Sequence, residues 1–387
     1  MDALSIVSVV GCRPNFVKIA PLMDAMTSHR GIAPRLVHTG QHYDESLSSS
    51  FFRGLHIPEP DVHLGVGSGS PGHQTARLLE GLEDYLEAVP PDLVLVVGDV
   101  ASTFAAALTA TRLGIPVAHV EAGLRSFDRE MPEEINRVLT DAIADYLFVT
   151  EPQAITNLRQ EGIAAEKIFF TGNVLADTLR RSWPSIASSD VHSRLELEDG
   201  DYAMLTLHRP ANVDDPRRLA HLAAIIEELG KRVPIVFPVH PRTAAQLGGL
   251  GLTASLDHVR RIPPLNYVDF IRLLRDCRFV MTDSGGVQEE STMLRVPCLT
   301  LRENTERPIT VTLGTNELVG FDGGLILESA RAILSGPPKL RRTPEKWDGH
   351  AAERIVSALY EHRTEIRELY RGVRSRQVRA REPGVRA

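Results

Sequence analysis

Residues 279–290 bring together what a bound diphosphate needs. An apolar run, 279–281, leads into Asp283-Ser284-Gly285-Gly286, and a helix-forming stretch follows. The glycines let the backbone approach a ligand closely, the amides of a first helical turn attract anions, and Ser284 adds a hydroxyl donor. Glu290 lies too far along to repel a phosphate at the turn, and it is placed to accept hydrogen bonds from sugar hydroxyls. Two readings fit the stretch: a nucleoside-diphosphate cradle, or a plain strand-to-helix turn with a capping serine.

Further chemistry stands where other apolar runs end. Arg13 follows the run 4–10, with Lys18 one turn into the next segment; Asp99 follows 92–97; Glu121 and Arg125 follow 117–120. Pro132-Glu133-Glu134-Ile135-Asn136-Arg137 reads as a helix start, with proline and two glutamates in the first turn. In the second half, 202–207 ends at His208-Arg209 and 235–239 at His240-Pro241-Arg242. The first half thus offers carboxylates, Asp99, Glu121 and Glu133, suited to proton transfer. The second offers histidines, arginines and a helix start, suited to stabilising a departing phosphate. Each residue also has a plain structural reading as a cap, a dipole partner or a buried histidine. Their recurrence at successive run ends favours function, because open parallel sheets bind ligands beyond the carboxyl ends of their strands.

The elements that must position these residues alternate in kind. Strand-length apolar runs occupy 4–10, 36–38, 92–97, 117–120, 146–149 and 168–170, with helix-period segments at 15–28, 72–89, 102–113, 133–143 and 152–161 between them. Phe16, Ile19, Ala20, Met23 and Met26 mark one inward stripe, and Leu78, Leu79, Leu82, Tyr85 and Leu86 another. Continuous Val/Leu/Ile strands are buried on both faces, which predicts parallel sheet in an α/β, doubly wound domain. Residues 183–201 are Ser- and Asp-rich without a long apolar run and read as a linker. The alternation restarts with strands at 202–207, 235–239, 259–262, 279–281 and 298–301 and helices at 216–230, 267–275 and 350–370. The expected organisation is therefore a first domain 1–182, the linker, a second domain 202–349, a final helix 350–370 and an Arg-rich tail 371–387.

At 387 residues, two domains are expected. A formal charge of -7 disfavours a general nucleic-acid binder. The run 4–10 is too short for a membrane span and lacks a basic lead-in, so it reads as a first strand. Cys12, Cys277 and Cys298 have no metal-type spacing and read as small apolar residues in a reducing compartment, so a cytoplasmic protein is expected. Gly65-Val66-Gly67-Ser68-Gly69 lacks the third glycine of a dinucleotide fingerprint and reads as a loop.

Taken in order, Gly11-Cys12-Arg13-Pro14, Gly98-Asp99, His119-Val120-Glu121-Ala122-Gly123-Leu124-Arg125, Pro132-Glu133-Glu134-Ile135-Asn136-Arg137, His208-Arg209, 282–290 and Thr305-Glu306-Arg307-Pro308 form a specific set. Over roughly residues 4 to 360 the chain resembles the non-hydrolysing UDP-N-acetylglucosamine 2-epimerases. The resemblance implies a glycosyltransferase-B-type fold, two Rossmann-like domains facing a central cleft, with the final helix packed back on the first domain. It implies reversible C2 epimerisation of UDP-N-acetylglucosamine to UDP-N-acetylmannosamine by a homodimer, without metal or nicotinamide. The route is elimination of UDP to a glycal and re-addition, because the C2 proton has no adjacent carbonyl to acidify it. Carried over by motif, Asp99, Glu121 and Glu133 transfer protons and position the sugar, and His208 stabilises the departing diphosphate. Arg13, Lys18, Arg137, His240 and Arg307 contact substrate or phosphate. Ser284, Gly285 and Gly286 hold the diphosphate, Glu290 the ribose, and Phe270 with the Leu265 backbone the uracil. Cys12, Asn15, Ala211 and Ile309 depart from frequent family residues, and Gln41-His42-Tyr43-Asp44 keeps only part of a segment tied to activation by a second UDP-N-acetylglucosamine. A hydrolysing epimerase that releases N-acetylmannosamine, or a glycosyltransferase on the same fold, are the competing activities.

Overall fold

The computed structural model describes residues 3–40, 52, 54–336 and 342–370. Two compact units divide the chain: Met1–Arg181 with Glu345–Ala387, and Ser182–Pro344. The segment 41–44, the tail 371–387 and the side chain of Arg13 lie outside the described residues.

The first unit is built on seven strands: β1 (Leu4–Val10), β2 (Ile32–His38), β3 (Val62–His63), β4 (Leu93–Val97), β5 (Val117–Val120), β6 (Tyr146–Val149) and β7 (Ile168–Phe170). They pair in the order β3-β2-β1-β4-β5-β6-β7, every pair parallel. β1, β4, β5 and β6 carry almost no polar residues because helices cover the sheet, and Val7, Val9, Val94, Val96 and Leu147 share one core with Leu78, Leu82 and Leu86. The inward stripe of helix Arg13–Ser28 is buried at Phe16, Ile19, Ala20, Met23 and Met26.

The second unit repeats the plan with β8 (Ala203–Thr206), β9 (Ile235–Pro238), β10 (Val259–Ile262), β11 (Val280–Thr282), β12 (Cys298–Thr300) and β13 (Asn316–Leu318). Their order is β10-β9-β8-β11-β12-β13, again parallel. Leu205, Phe237, Met281 and Leu299 meet Leu222, Ile225 and Ile226 of helix Pro216–Gly230 in its core.

In each sheet the strand order reverses direction once, between β1 and β4 and between β8 and β11. At such a point the connections leave toward opposite faces and open a crevice at the carboxyl edge. That topology sets Asn15 and Lys18 beside Gly98 and Asp99 in one unit, and His208 beside Asp283 in the other.

Several segments differ from the sequence expectation. Residues 183–201 are folded rather than a bare linker: helix Val174–Ser188 runs into them and Val191–Arg194 forms a short helix. Ser189 Oγ donates to Asp269 at 2.6 Å and Arg194 pairs with the same carboxylate at 2.6 Å. Ile186 and Val191 are fully buried, so a few well-placed apolar residues suffice where composition shows mainly Ser and Asp. Residues 345–349 belong with the first unit, where Trp347 Nε1 donates to the Thr150 carbonyl at 3.0 Å. The final helix is two, Ala351–Glu361 and Arg363–Glu368, broken at His362. Its N-terminus is capped by Asp177, which accepts from the Ala351 and Ala352 amides at 3.1 and 2.9 Å.

Candidate active site

The carboxyl edge of the first sheet gathers Lys18, Asn15, Gly98, Asp99, Glu121, Asn136 and Arg137. Lys18 reaches from the second turn of its helix to the Glu121 carboxylate, and both side chains are buried. Asn15 bridges the two strands of the switch point, accepting from the Gly11 amide at 3.1 Å and donating to the Val97 carbonyl at 2.9 Å. Gly98 turns the chain with φ +69°, and a Cβ there would lie 3.0 Å from Lys18 Nζ and 3.8 Å from Glu121 Oε2. Any other residue at 98 would press on the Lys18–Glu121 pair.

Glu121 itself has φ +71°, a left-handed backbone that a non-glycine residue adopts at a cost of about 1–3 kcal/mol. The strain is held by the Glu121 and Ala122 amides, which both donate to the Phe148 carbonyl, at 3.0 and 3.1 Å. The conformation turns the Glu121 side chain back toward Lys18 instead of letting β5 continue.

Asp99 is anchored by helix Pro132–Ile143. Asn136 Nδ2 donates to the Asp99 carbonyl at 2.9 Å, and the Arg137 guanidinium pairs with the Asp99 carboxylate. Arg137 is 1% exposed and also donates to Glu134 at 2.6 and 3.0 Å. Glu134 in turn ties down the preceding loop through the Ser126 and Phe127 amides at 3.0 and 2.8 Å. Burial would raise the Glu134 pKa, but these amides and Arg137 outweigh it and hold the carboxyl below its ordinary range. Glu133, in the first turn of the same helix, is half-buried. The Cys12 thiol feels the cluster: burial first, then the charges of Asp99 and Glu133, push its pKa up to about 12 against the pull of Lys18. The edge therefore holds at least three carboxyl groups, two of them paired with the buried cations Lys18 and Arg137.

The helix Pro132–Ile143 is inside out. Glu134, Arg137, Thr140 and Asp141 are buried, while Ile135, Val138 and Leu139 are 42%, 39% and 42% exposed and Phe127 just upstream is 73% exposed.

In the second unit, the Thr282 hydroxyl accepts the Ser284 amide at 2.9 Å and shapes the turn into helix Gly285–Leu294. A Cβ on Gly285 would come within 2.5 Å of Arg307 and 2.8 Å of Glu306, whereas one on Gly286 would meet only Ser284 Oγ at 4.0 Å. The first turn is thus closed behind Gly285 and open at Gly286. Arg307 is 4% exposed and pairs with Glu289 at 2.8 Å and with Glu306, so it lies under the cradle as its charged backing.

Asp283, absent from the sequence-based candidates, is the centre of this edge. It is fully buried and accepts the His208 amide at 3.0 Å, the Arg209 amide at 2.8 Å and Asn212 Nδ2 at 3.0 Å. The His208 Nδ1 lies 3.0 Å from its other oxygen, which leaves Nε2 on the opposite side of a ring that is 39% exposed. Burial raises the Asp283 pKa; the His208 ring and the two amides outweigh it and bring the carboxyl below its ordinary value. His240 caps helix Pro241–Gly249, its Nδ1 accepting from the Arg242 amide at 3.2 Å, and its ring lies 5.9 Å from that of His208. Leu265 and Phe270 flank the start of helix Tyr267–Asp276, both half-buried. Glu290, one turn and a half into its helix, is buried, and burial beside it raises the Tyr267 phenol well above its usual pKa.

Residues 24–360 match the profile of a family described as UDP-N-acetylglucosamine 2-epimerase. The chain is 42% identical over 363 residues to the UDP-N-acetylglucosamine 2-epimerase of Methanocaldococcus jannaschii, covering 91% of this chain and 97% of that one. It is also 42% identical over 334 residues to the UDP-2,3-diacetamido-2,3-dideoxy-D-glucuronate 2-epimerase of Pseudomonas aeruginosa, covering 86% and 92%. The crystal structure of the Methanocaldococcus jannaschii enzyme in complex with UDP-GlcNAc and UDP superimposes with a TM-score of 0.87 at 40% identity, covering 92% of this chain and 100% of that one.

Proposed function

Because the chain belongs to the UDP-N-acetylglucosamine 2-epimerase family, we propose that it interconverts UDP-N-acetylglucosamine and UDP-N-acetylmannosamine by elimination and re-addition of UDP. The observation that carries this reading is the cluster at the first sheet's carboxyl edge, where Asp99 and Glu121 are each held by a cation and Glu133 stands near. Inversion at C2 needs a base on one face of the sugar and an acid on the other, hence more than one carboxyl group. A cradle alone would serve a binding protein equally well.

The steps balance without a further reactant. The C1–O bond breaks with its electron pair leaving on UDP, the C2 proton passes to a carboxylate, and a 2-acetamidoglycal remains. UDP oxygen then adds back to C1 as a proton is delivered to C2 from the other face. The second unit is assigned the UDP: the amides at Gly285 and Gly286 and the Ser284 hydroxyl take the diphosphate, His208 Nε2 faces the leaving oxygen, and Glu290 takes the ribose. Stabilising the departing charge carries much of the barrier. Arg13 and Lys18 add positive charge at the first unit's edge.

Proton NMR of the enzyme with UDP-N-acetylglucosamine in heavy water tests this. Deuterium at C2 of both epimers is expected. Free deuterated N-acetylmannosamine with accumulating UDP would point to the hydrolysing activity instead, and an unchanged C2 signal would remove the epimerase reading for this sugar. The equal identity to the diacetamido-glucuronate enzyme favours one second reading, the same inversion on that sugar nucleotide. Comparison of kcat/KM on the two substrates decides between them.

A cytoplasmic homodimer is part of the proposal. No helix among the described residues is long and apolar enough to cross a membrane. The exposed stripe Ile135, Val138 and Leu139, with Phe127, is a face suited to a second copy. Leu139→Asp is expected to halve the mass seen in sedimentation; an unchanged mass would move the interface elsewhere.

A further inference from the structure

We propose that His119 is a positioning residue for Asp99: as an imidazolium ion held by Asp141, it clamps the Gly98–Asp99 peptide that presents the Asp99 carboxylate. The inference rests on Asp99 being an acid–base residue of the epimerase reaction.

His119 lies in the middle of β5 with no exposed surface. Its Nδ1 is 2.6 Å from Asp141 Oδ1 and its Nε2 is 2.8 Å from the Gly98 carbonyl oxygen. A carbonyl only accepts. The other Asp141 oxygen accepts from the Gly123 amide at 2.9 Å and from Arg125 at 2.7 Å, the bonds of an ionised carboxylate. Burial raises the Asp141 pKa, but His119, Arg125 and the Gly123 amide outweigh it and set it below the usual value. Two ring nitrogens facing two obligate acceptors must both carry protons, whereas a neutral ring has one. The charges around the ring are those of Asp141 and of Arg125, itself paired with Glu161 at 2.6 Å; on the Gly98 side stand Lys18 and Glu121.

Gly98 explains why a clamp is needed. A side chain at 98 would crowd Lys18 and be strained at φ +69°, and the glycine there keeps a freedom that other residues lack. Its amide donates to the Val120 carbonyl at 3.0 Å, Asn136 holds the Asp99 carbonyl at 2.9 Å, and Arg137 holds the carboxylate. The Gly98 carbonyl is held by His119. With a neutral ring donating to residue 141, a nitrogen lone pair would face the carbonyl lone pairs and the peptide would be pushed away.

Two measurements test this. In the wild-type enzyme, nitrogen-15 NMR of the histidine side chains at neutral pH should show both His119 ring nitrogens protonated; a bare nitrogen overturns the inference. Asp141→Asn removes the charge that holds the second proton. It is expected to lower kcat by about 10–100-fold, with KM for UDP-N-acetylglucosamine and affinity for UDP unchanged. Added to Asp99→Asn it should cause no further loss of kcat, because both changes act through one carboxylate. Wild-type kcat in a folded Asp141→Asn enzyme, beside an inactive Asp99→Asn enzyme, defeats the clamp and leaves the catalytic reading standing. Full turnover by Asp99→Asn defeats both.

Discussion

Asp99→Asn should lose C2 hydrogen exchange by roughly 10²–10⁴-fold, the contribution typical of a positioned acid–base group. The change is nearly isosteric. The backbone at 99 keeps its bond from Asn136, and Arg137 keeps its 2.6 Å bond to Glu134, so the local frame survives. What disappears is the ability to take or return a proton. UDP binding is assigned to the second unit and should be unaffected, so the defect appears in kcat and in deuterium incorporation, not in UDP affinity measured by calorimetry. Asp99→Asn with wild-type exchange would transfer the role to Glu121 or Glu133.

Asp283→Ala should be the most damaging single change in the second unit. It removes at once the buried acceptor shared by the His208 and Arg209 amides, Asn212 Nδ2 and the His208 ring. Leaving a buried donor without its acceptor costs about 1–3 kcal/mol. Denaturant titration followed in the second unit should show that loss, and UDP affinity should fall with it because the turn carrying His208 is no longer fixed. A change below about 1 kcal/mol would mean the turn is held by other contacts. The same carboxylate predicts a pH dependence. Its folded pKa lies below the ordinary value, so the unfolded chain binds the proton first as pH falls. The stabilisation is therefore complete above the ordinary Asp range near pH 3.8 and is lost as pH drops below it, through the folded pKa.

The strands were legible because parallel sheet covered on both sides demands apolar runs, and Leu93–Val97 meets that demand without a break. β3 and β13 were not, since two or three residues such as Val62-His63 and Asn316-Glu317-Leu318 carry no period. Helix Gly323–Ser335, which is not among the helices expected from the sequence, opens on two glycines, and the Asp322 carboxylate caps it by accepting the Leu325 amide at 3.0 Å. The strand-end residues stood out as candidates because topology puts them at one edge. Their supports did not. Asp141 and Glu134 look like surface charges on a helix, and periodicity would turn Ile135, Val138 and Leu139 inward. The fold does the reverse, because the partners that make burial of those carboxylates tolerable, His119, Arg125 and the 126–127 amides, come from other elements. Asp283 sat in plain view inside a motif, but its role depends on a strand some 75 residues upstream.

Unit one is assembled from two separated stretches, Met1–Arg181 and Glu345–Ala387, while unit two is a single stretch between them. A ribosome delivers these in order. When Arg181 emerges, Trp347 and the Ala351–Glu361 helix do not yet exist, and at about 5–20 residues per second they follow only after roughly ten to thirty seconds. Throughout that interval the Asp177 carboxylate has no helix to cap and the Thr150 carbonyl no indole to accept from. The later-made unit is complete first, and the first-begun unit is finished only by residues synthesised after it.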